Sequence, residues 1–544
     1  MAARWPPSDF IHPNKHTSKH HIMSAKTEGI APNASRLLWA GFMAILAAGV
    51  GFSIRAGILG QWAEKYGFTM TELGLITGGG LVGFGVIIML SSLIADAIGY
   101  GKLMFIAFLT HLVSAVLTLS AGYAFEAGGK EAAFQCLYWG MFLFAVGNGV
   151  CEAVVNPLVA TLYPKNKAHY LNILHAGWPG GLIVGGLASY AMNGAFTDGK
   201  AVTWEIQMAL FLVPVVLYGL MIMGQRMPGS EASEAGVGYG VMVMQLFRPL
   251  MIVLLVLQAL VGYVELGTDS WIGKITGAIM ADPQKGLLLF VYTSGLMFAL
   301  RFFAGPIVER ISPLGLLFVS AVLGFVGLQM LGNATSVVLC VVAATIYGCG
   351  KTFLWPTMLA VVSERFPKGG AITIGAVGGV GMLSAGLLGG PGIGFKQDFH
   401  ASAQLKDSHP AIYERYKAGN ENSFVGYKTV GLDGAKVGVL DDSGKELARA
   451  GEILAKENKT DANHATLAKW WEDASKSAAE DKAPVTAAGL HGGRMALKLT
   501  SYVPLAMALI YLLLILYFKV TGGYRAIHVT GEQMTGGTQG PMEA

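Results

Sequence analysis

The sequence predicts an all-α membrane protein of twelve transmembrane helices arranged as two six-helix repeats. Three observations carry that expectation. Hydrophobic residues make up 53% of the 544-residue chain and charged residues only 13%, against about 25% charged in soluble domains. Twelve stretches approach the roughly 20 apolar residues that a spanning helix needs. Two segments about two hundred residues apart also echo each other: Gly147-Asn-Gly-Val-Cys-Glu152-Ala-Val-Val-Asn156-Pro157 and Gly348-Cys-Gly-Lys351-Thr-Phe-Leu-Trp355-Pro356. Each places one ionisable side chain deep in an apolar stretch. A charge there costs about 2.5 to 3.5 kcal/mol on insertion scales and persists where it faces a polar cavity, a partner or a solute path.

Residues 1–35 hold Pro6, Pro7, histidines and lysines without the apolar core of a signal peptide. They read as a cytoplasmic tail, in which Met23 could serve as an alternative start. The expected spans are 36–60, 71–95, 103–125, 135–163, 170–195 and 206–224 in an N-terminal half covering 36–224. They are 249–272, 287–307, 313–332, 337–362, 371–394 and 498–519 in a C-terminal half covering 249–519. A polar linker, 225–248, with Pro228, Gly229 and Ser230, separates the halves, and 520–544 forms a second tail. With the N-terminus inside, the tails and even-numbered loops hold about fifteen Lys and Arg against about five in the short loops of the other side, so both tails belong on the cytoplasmic face of a plasma or inner membrane. A polar insert, 396–495, then lies outside the cytoplasm as a solvated cap, where it could contact another protein. Its composition is helical over 441–459 and 461–483, the latter with Trp470 and Trp471.

Several function classes drop out. A net charge of +4 gives no reason to expect a nucleic acid partner. Cys136, Cys151, Cys340 and Cys349 all lie in apolar segments, which fits neither a disulfide framework nor a metal cluster. Gly78-Gly79-Gly80 with Gly83 and Gly85, and Gly375 to Gly381, lack the strand-to-helix setting of a dinucleotide fingerprint. Small residues there let helices approach closely. No nucleophile or cofactor loop suggests an enzyme, and no cofactor is expected beyond a proton or sodium ion for coupling.

An internal repeat of several spans is common in secondary transporters, whose site lies near the midplane between repeats. The repeat extends to the loops. Ser92-Leu-Ile-Ala-Asp96-Ala-Ile-Gly99-Tyr-Gly-Lys102 follows the second span, and Gly305-Pro-Ile-Val-Glu309-Arg310 follows the eighth. Each has a small residue four before an acid, with basic residues close by, as suits a gating loop that pins helix ends. Arg301, near the end of the eighth span, groups with the second of these loops.

With these loops the chain resembles the major facilitator superfamily, whose signature runs Gly-x-Leu-Ala-Asp-Arg-x-Gly-Arg. The first copy has Ser92 for the glycine and Ala97 for the arginine; the second keeps Gly305 and Arg310, with Glu309 for the aspartate. A narrower similarity is to the fucose, galactose and glucose proton-symporter branch. Its Glu-Thr-Ala-Ala-Asn-Pro element resembles Glu152 to Pro157, its Leu-Asn pair Leu171-Asn172, its seventh-span element Tyr263-Val264-Glu265 with Trp271, and its aromatic-Pro-Thr element Trp355-Pro356-Thr357. The resemblance implies alternating access, a monosaccharide as solute, and Glu152 in proton or substrate coupling. The branch places an acid in the first span where this chain has Arg55.

Spacing identifies the site candidates, because residues four apart share a helix face. Asn148, Glu152 and Asn156 form one stripe in the fourth span, either an interhelical ladder or a coupling site. Desolvation disfavours the charged form of a carboxylate. In the tenth span Tyr347, Lys351 and Trp355 flank an ammonium with aromatics, suited to an anionic or polyhydroxylated ligand or to a salt bridge with Glu152 or Glu265. Glu265 and Asp269 lie four apart in the seventh span, where they could hold a proton, a sodium ion or a sugar hydroxyl. In the fifth span Asn172, His175 and Trp178 recur at spacings of three; His175 serves as a relay or a structural hydrogen-bonder. Arg55 binds an anion, offsets a carboxylate or snorkels, and His111 has no partner legible in the sequence. An organic-anion carrier, which Arg55 and Lys351 would favour, and a solute-binding receptor are the alternatives. Substrate, direction and oligomeric state are not legible.

Overall fold

A computed structural model describes residues 31–68, 70–78, 80–195, 202–456, 460–527 and 529. Most of the N-terminal tail, with Met23, and of the C-terminal tail lies outside them. Every expected span is helical. Among the described residues, ten helical runs are long and apolar enough to cross a membrane. The fifth span, Lys167–Tyr190, and the eighth, Pro283–Arg301, are also helices. They are less apolar because His175, Trp178, Pro179 and several glycines interrupt the one, and Gln284, Lys285 and Arg301 end the other.

The helices break where the site needs them to. The fourth span, Ala121–Leu162, bends at Gly129, whose φ of 73° is easy only without a side chain. The seventh runs as Pro249–Gly262 and Thr268–Ile279 around a π-turn, Tyr263–Gly267, that holds Glu265. The tenth is two helices, Val337–Lys351 and Leu354–Arg365. The eleventh carries a π-turn, Ala385–Gly389, packed on that of the seventh. A Cβ on Gly267 would lie 2.6 Å from the Gly389 Cα, so the two turns touch backbone to backbone. Gly85 and Gly379 play the same part between the second and eleventh spans, where a Cβ on either would stand 2.9 Å from the other's carbonyl oxygen. That is the packing role expected of these glycine-rich stretches.

The insert is a folded cap. The eleventh helix runs on to Ser408 and the twelfth begins at Ala478, so the two form a stalk. Between them lie Pro410–Tyr416, an antiparallel hairpin of β1 (Asn422–Phe424) and β2 (Tyr427–Thr429), and helices Gly434–Asp442, Lys445–Lys456 and Ala462–Ala474. Leu405, Ile412, Tyr416, Leu440 and Val485 build its core against Trp470 and Trp471. Arg415 donates twice to the fully buried Asp481 of the stalk. Breaks in the α-helix at 443–444 and 475–477 interrupt the two expected helical stretches, and 457–459 of the first lie outside the described residues.

Candidate functional site

Between the halves lies a narrow cavity lined by Glu152, His175, Trp178, Glu265, Leu266, Arg301, Trp355 and Met382. The polar side chains reach it from opposite halves. On the N-terminal side, Asn156 Nδ2 donates to Glu152 Oε2 at 2.6 Å, while its Oδ1 pairs with His175 Nε2 at 2.8 Å. Since a carboxylate only accepts, the amide must present its NH₂ to Glu152 and its oxygen to a His175 Nε2–H. Glu152 and His175 are themselves 3.9 Å apart.

On the other side, Arg301 is fully buried, and each of its nitrogens has a partner. Nη2 donates to Glu265 Oε1 at 3.1 Å, Nε to the Thr352 carbonyl at 2.8 Å, and Nη1 to the His175 carbonyl at 2.6 Å. Both carbonyls stand four residues before a proline, Pro356 and Pro179. Proline has no N–H to close the helical bond at that position, so these oxygens are left for the guanidinium. Glu265 Oε2 is buried without a hydrogen-bond partner. Arg301 therefore belongs to the cavity and not, as its position at the end of the eighth span suggested, to the loop that follows. The signal was present in the sequence: two in-helix prolines mark free carbonyls, and a buried guanidinium is the donor that suits them.

Other expected members of the site lie elsewhere. Lys351 is buried and donates to both oxygens of Asp269, at 2.5 and 2.7 Å, and is hydrogen-bonded to neither Glu152 nor Glu265. Tyr347 donates to the Val264 carbonyl and Trp271 to the Gly390 carbonyl. Asn148 turns from the cavity to His111, at 3.0 Å, and the other ring nitrogen of His111 meets the Tyr218 hydroxyl at 2.8 Å. The histidine without a legible partner thus has two, one of them a member of the expected stripe. Arg55 stacks on Phe144 with its guanidinium carbon 4.0 Å from the ring centre and donates to the Gly51 carbonyl and Ser114. It does not line the cavity. Asn172 donates to Thr357 Oγ1 across the halves at 3.2 Å. Met382 and Leu266 line the cavity unannounced, because an apolar wall residue looks like any other apolar residue in a span.

The expected gating residues sit on helices. Asp96, in the last turn of Gly80–Ile98, accepts from the backbone N–H of Ser230 at 2.9 Å and from its hydroxyl at 2.8 Å, which fastens the linker. Gly99 follows with φ 94°, and Lys102 is exposed. Gly305 opens the helix Ala304–Gly332 and its N–H donates to His169 of the other half at 3.2 Å, while Glu309 and Arg310 are exposed before a break at Ser312. Lys167 donates to Glu231 of the linker and to the Ser363 carbonyl of the tenth span.

Two helical halves, a polar cavity between them and a linker strapped beneath define a membrane transporter fold. The chain belongs to the Major Facilitator Superfamily, whose sequence profile matches residues 41–390. Solved structures agree. The fucose:proton symporter FucP of E. coli, as a single-site variant, is similar with a TM-score of 0.54 at 16% identity, over 69% of this chain and 92% of that one. A bacterial homologue of the human lysosomal transporter Spinster gives 0.57 at 14% identity, over 89% and 97%. The human organic anion transporter TETRAN gives 0.51 at 13%, over 66% and 92%. No curated protein sequence matches the chain.

Proposed function

We propose that this protein is a secondary active transporter that moves a small neutral polar solute, a monosaccharide, by alternating access, with Glu152 taking up and releasing the coupling cation. The observation that carries the reading is the content of the cavity. Two carboxylates, one guanidinium and the indoles of Trp178 and Trp355 converge on one cavity between the halves. Hydroxyls suit carboxylate and guanidinium partners, and a sugar's apolar faces suit the indoles. The carboxylates outnumber the guanidinium, so the cavity favours a proton or a sodium ion as companion and disfavours a free anion. Resemblance to the sugar proton-symporter branch points the same way, and FucP is named as a fucose:proton symporter.

The organic-anion alternative rested on Arg55 and Lys351. Neither lines the cavity, and Lys351 already holds Asp269. In this reading the linker face is cytoplasmic, the insert faces outward, and the membrane is a plasma or inner membrane. Counterflow into proteoliposomes with labelled monosaccharides and organic acids tests it. Accumulation of a sugar is expected; accumulation of acids alone would install the alternative, and no counterflow of any solute would end the transporter reading.

A further inference from the structure

The fifth span is stitched to the opposite half by a row of polar bonds. His169 accepts from the Gly305 N–H, Asn172 donates to Thr357, and the His175 carbonyl accepts from Arg301. Residues 169, 172 and 175 recur every three positions and share one face of the helix. Among these three bonds only that from Arg301 is charge-assisted, the class roughly twice as strong as neutral pairs. It is also the shortest, at 2.6 Å. It exists because Pro179 leaves the His175 carbonyl without its helical donor. The same guanidinium holds Glu265 and the carbonyl freed by Pro356, so it is fixed on its own half and reaches across with one arm.

We propose that Arg301 is the positioning residue that holds the halves together on the linker side of the cavity, and that the carbonyl freed by Pro179 is its catch. The bond from Nη1 to the His175 carbonyl is made in the state described here and must break before the halves part on that side. The other two partners of Arg301 travel with it, so its share of the cost of opening falls on that single bond, beside the shares of His169, Asn172 and the Lys167 ammonium on the Ser363 carbonyl. The proposal rests on the alternating-access reading and adds to it the residue that sets the balance between states.

The test measures distances. Spin labels are placed at the exposed Lys165 and Ile311, one on each half, on a background lacking the four native cysteines. Their separation is read by pulsed electron resonance in lipid. The unaltered protein should show a short and a long population. Arg301→Gln should move their ratio towards the long one by about tenfold, the order expected for losing one hydrogen bond from a charged group. Pro179→Ala is the second variant. It leaves Arg301 and Glu265 in place and returns an N–H to the His175 carbonyl, so it should shift the ratio in the same direction by a smaller factor. Pro356→Ala, which acts on the same-half carbonyl, should leave the ratio where it was. An unchanged ratio in Pro179→Ala, or an equal shift in Pro356→Ala, would overturn the proposal. A single fixed distance in the unaltered protein, with and without sugar, would instead count against alternating access itself.

Discussion

Replacing Lys351 by methionine separates a structural ammonium from a solute-binding one. The Nζ lies 2.5 and 2.7 Å from the two oxygens of Asp269, and the side chains are 0% and 11% exposed. Removing one partner of a buried ion pair costs about 3 to 5 kcal/mol, because the remaining charge stays buried without compensation. Lys351 also sits 5.5 Å from the Tyr347 ring centre and 5.7 Å from that of Phe290. A methionine thioether retains favourable aromatic contacts, so the loss falls on the charge. About 4 kcal/mol corresponds to roughly a thousandfold change in an equilibrium constant. Lys351→Met should therefore lower markedly the temperature at which half the purified protein stays monodisperse in detergent. Adding Asp269→Asn should recover most of that loss, since the orphaned charge is gone. Transport by the double variant should keep its KM for the solute, as neither residue lines the cavity. A single variant as stable as the unaltered protein, or a double variant no better than the single, would refute the pairing argument. Stability kept while solute affinity collapses would return Lys351 to the binding site.

Three further outcomes follow from the same geometry. In Glu152→Gln the new amide oxygen can still accept from Asn156, so folding should be kept while coupling is lost. Each 100 mV supplies about 2.3 kcal/mol per charge moved, or about fiftyfold accumulation; the variant should fall to about onefold in a gradient assay while exchange persists, and undiminished accumulation would take Glu152 out of the coupling role. Asp96→Ala removes both acceptors of Ser230, a loss of about 1 to 3 kcal/mol, so amide hydrogen exchange over residues 228–237 should speed up; protection equal to that of the unaltered chain would show that Asp96 does not fasten the linker. Arg55→Met keeps a long side chain on Phe144 and removes a buried cation, so neutral-sugar counterflow should continue at a comparable rate, whereas its abolition would place Arg55 in the solute path after all.

The architecture was legible because its signals are long. Twelve apolar runs, a polar linker and recurring loops are properties of stretches, and each run lies in helix, although the fourth, eleventh and twelfth helices extend well past their apolar runs. The N-terminal part of the site was legible for the same reason: Glu152 and Asn156 share a face by spacing, and the fifth span brings His175 to it. What spacing could not supply was direction across helices. Asn148 lies on the same stripe by period, yet one turn along the helix it faces His111 and Tyr218 of other spans. Lys351 shares a face with two aromatics, but its partner is set by the distance between the tenth and seventh helices, which only packing decides. Arg301 was misplaced because nearness to a helix end suggested a loop, while the partners that hold it inside are backbone carbonyls, visible in sequence only as prolines four residues downstream.

Around the cavity the acids of the two halves are held differently: those of the C-terminal half are in salt bridges with Lys or Arg, while the carboxylate that the N-terminal half contributes is hydrogen-bonded by an amide. In the C-terminal half Asp269 has Lys351 and Glu265 has Arg301, so each acid carries its own cation through any motion of that half. Glu152 is hydrogen-bonded by the Asn156 amide and lies 3.9 Å from the His175 ring, with Arg301 of the other half lining the same cavity. An amide cannot pass a proton along: Asn156 donates with nitrogen to Glu152 and accepts with oxygen from His175, and reversing the traffic would need the whole group to turn. Asn156 therefore offers no relay, and in the proposed coupling role Glu152 takes its cation from the cavity that it lines. In the proposed reading solute and coupling ion share one entrance in each state, which links their occupancy without a second pathway. The C-terminal half thus brings its acids around the cavity already paired, and the proposed coupling role falls to Glu152, the carboxylate held by an amide.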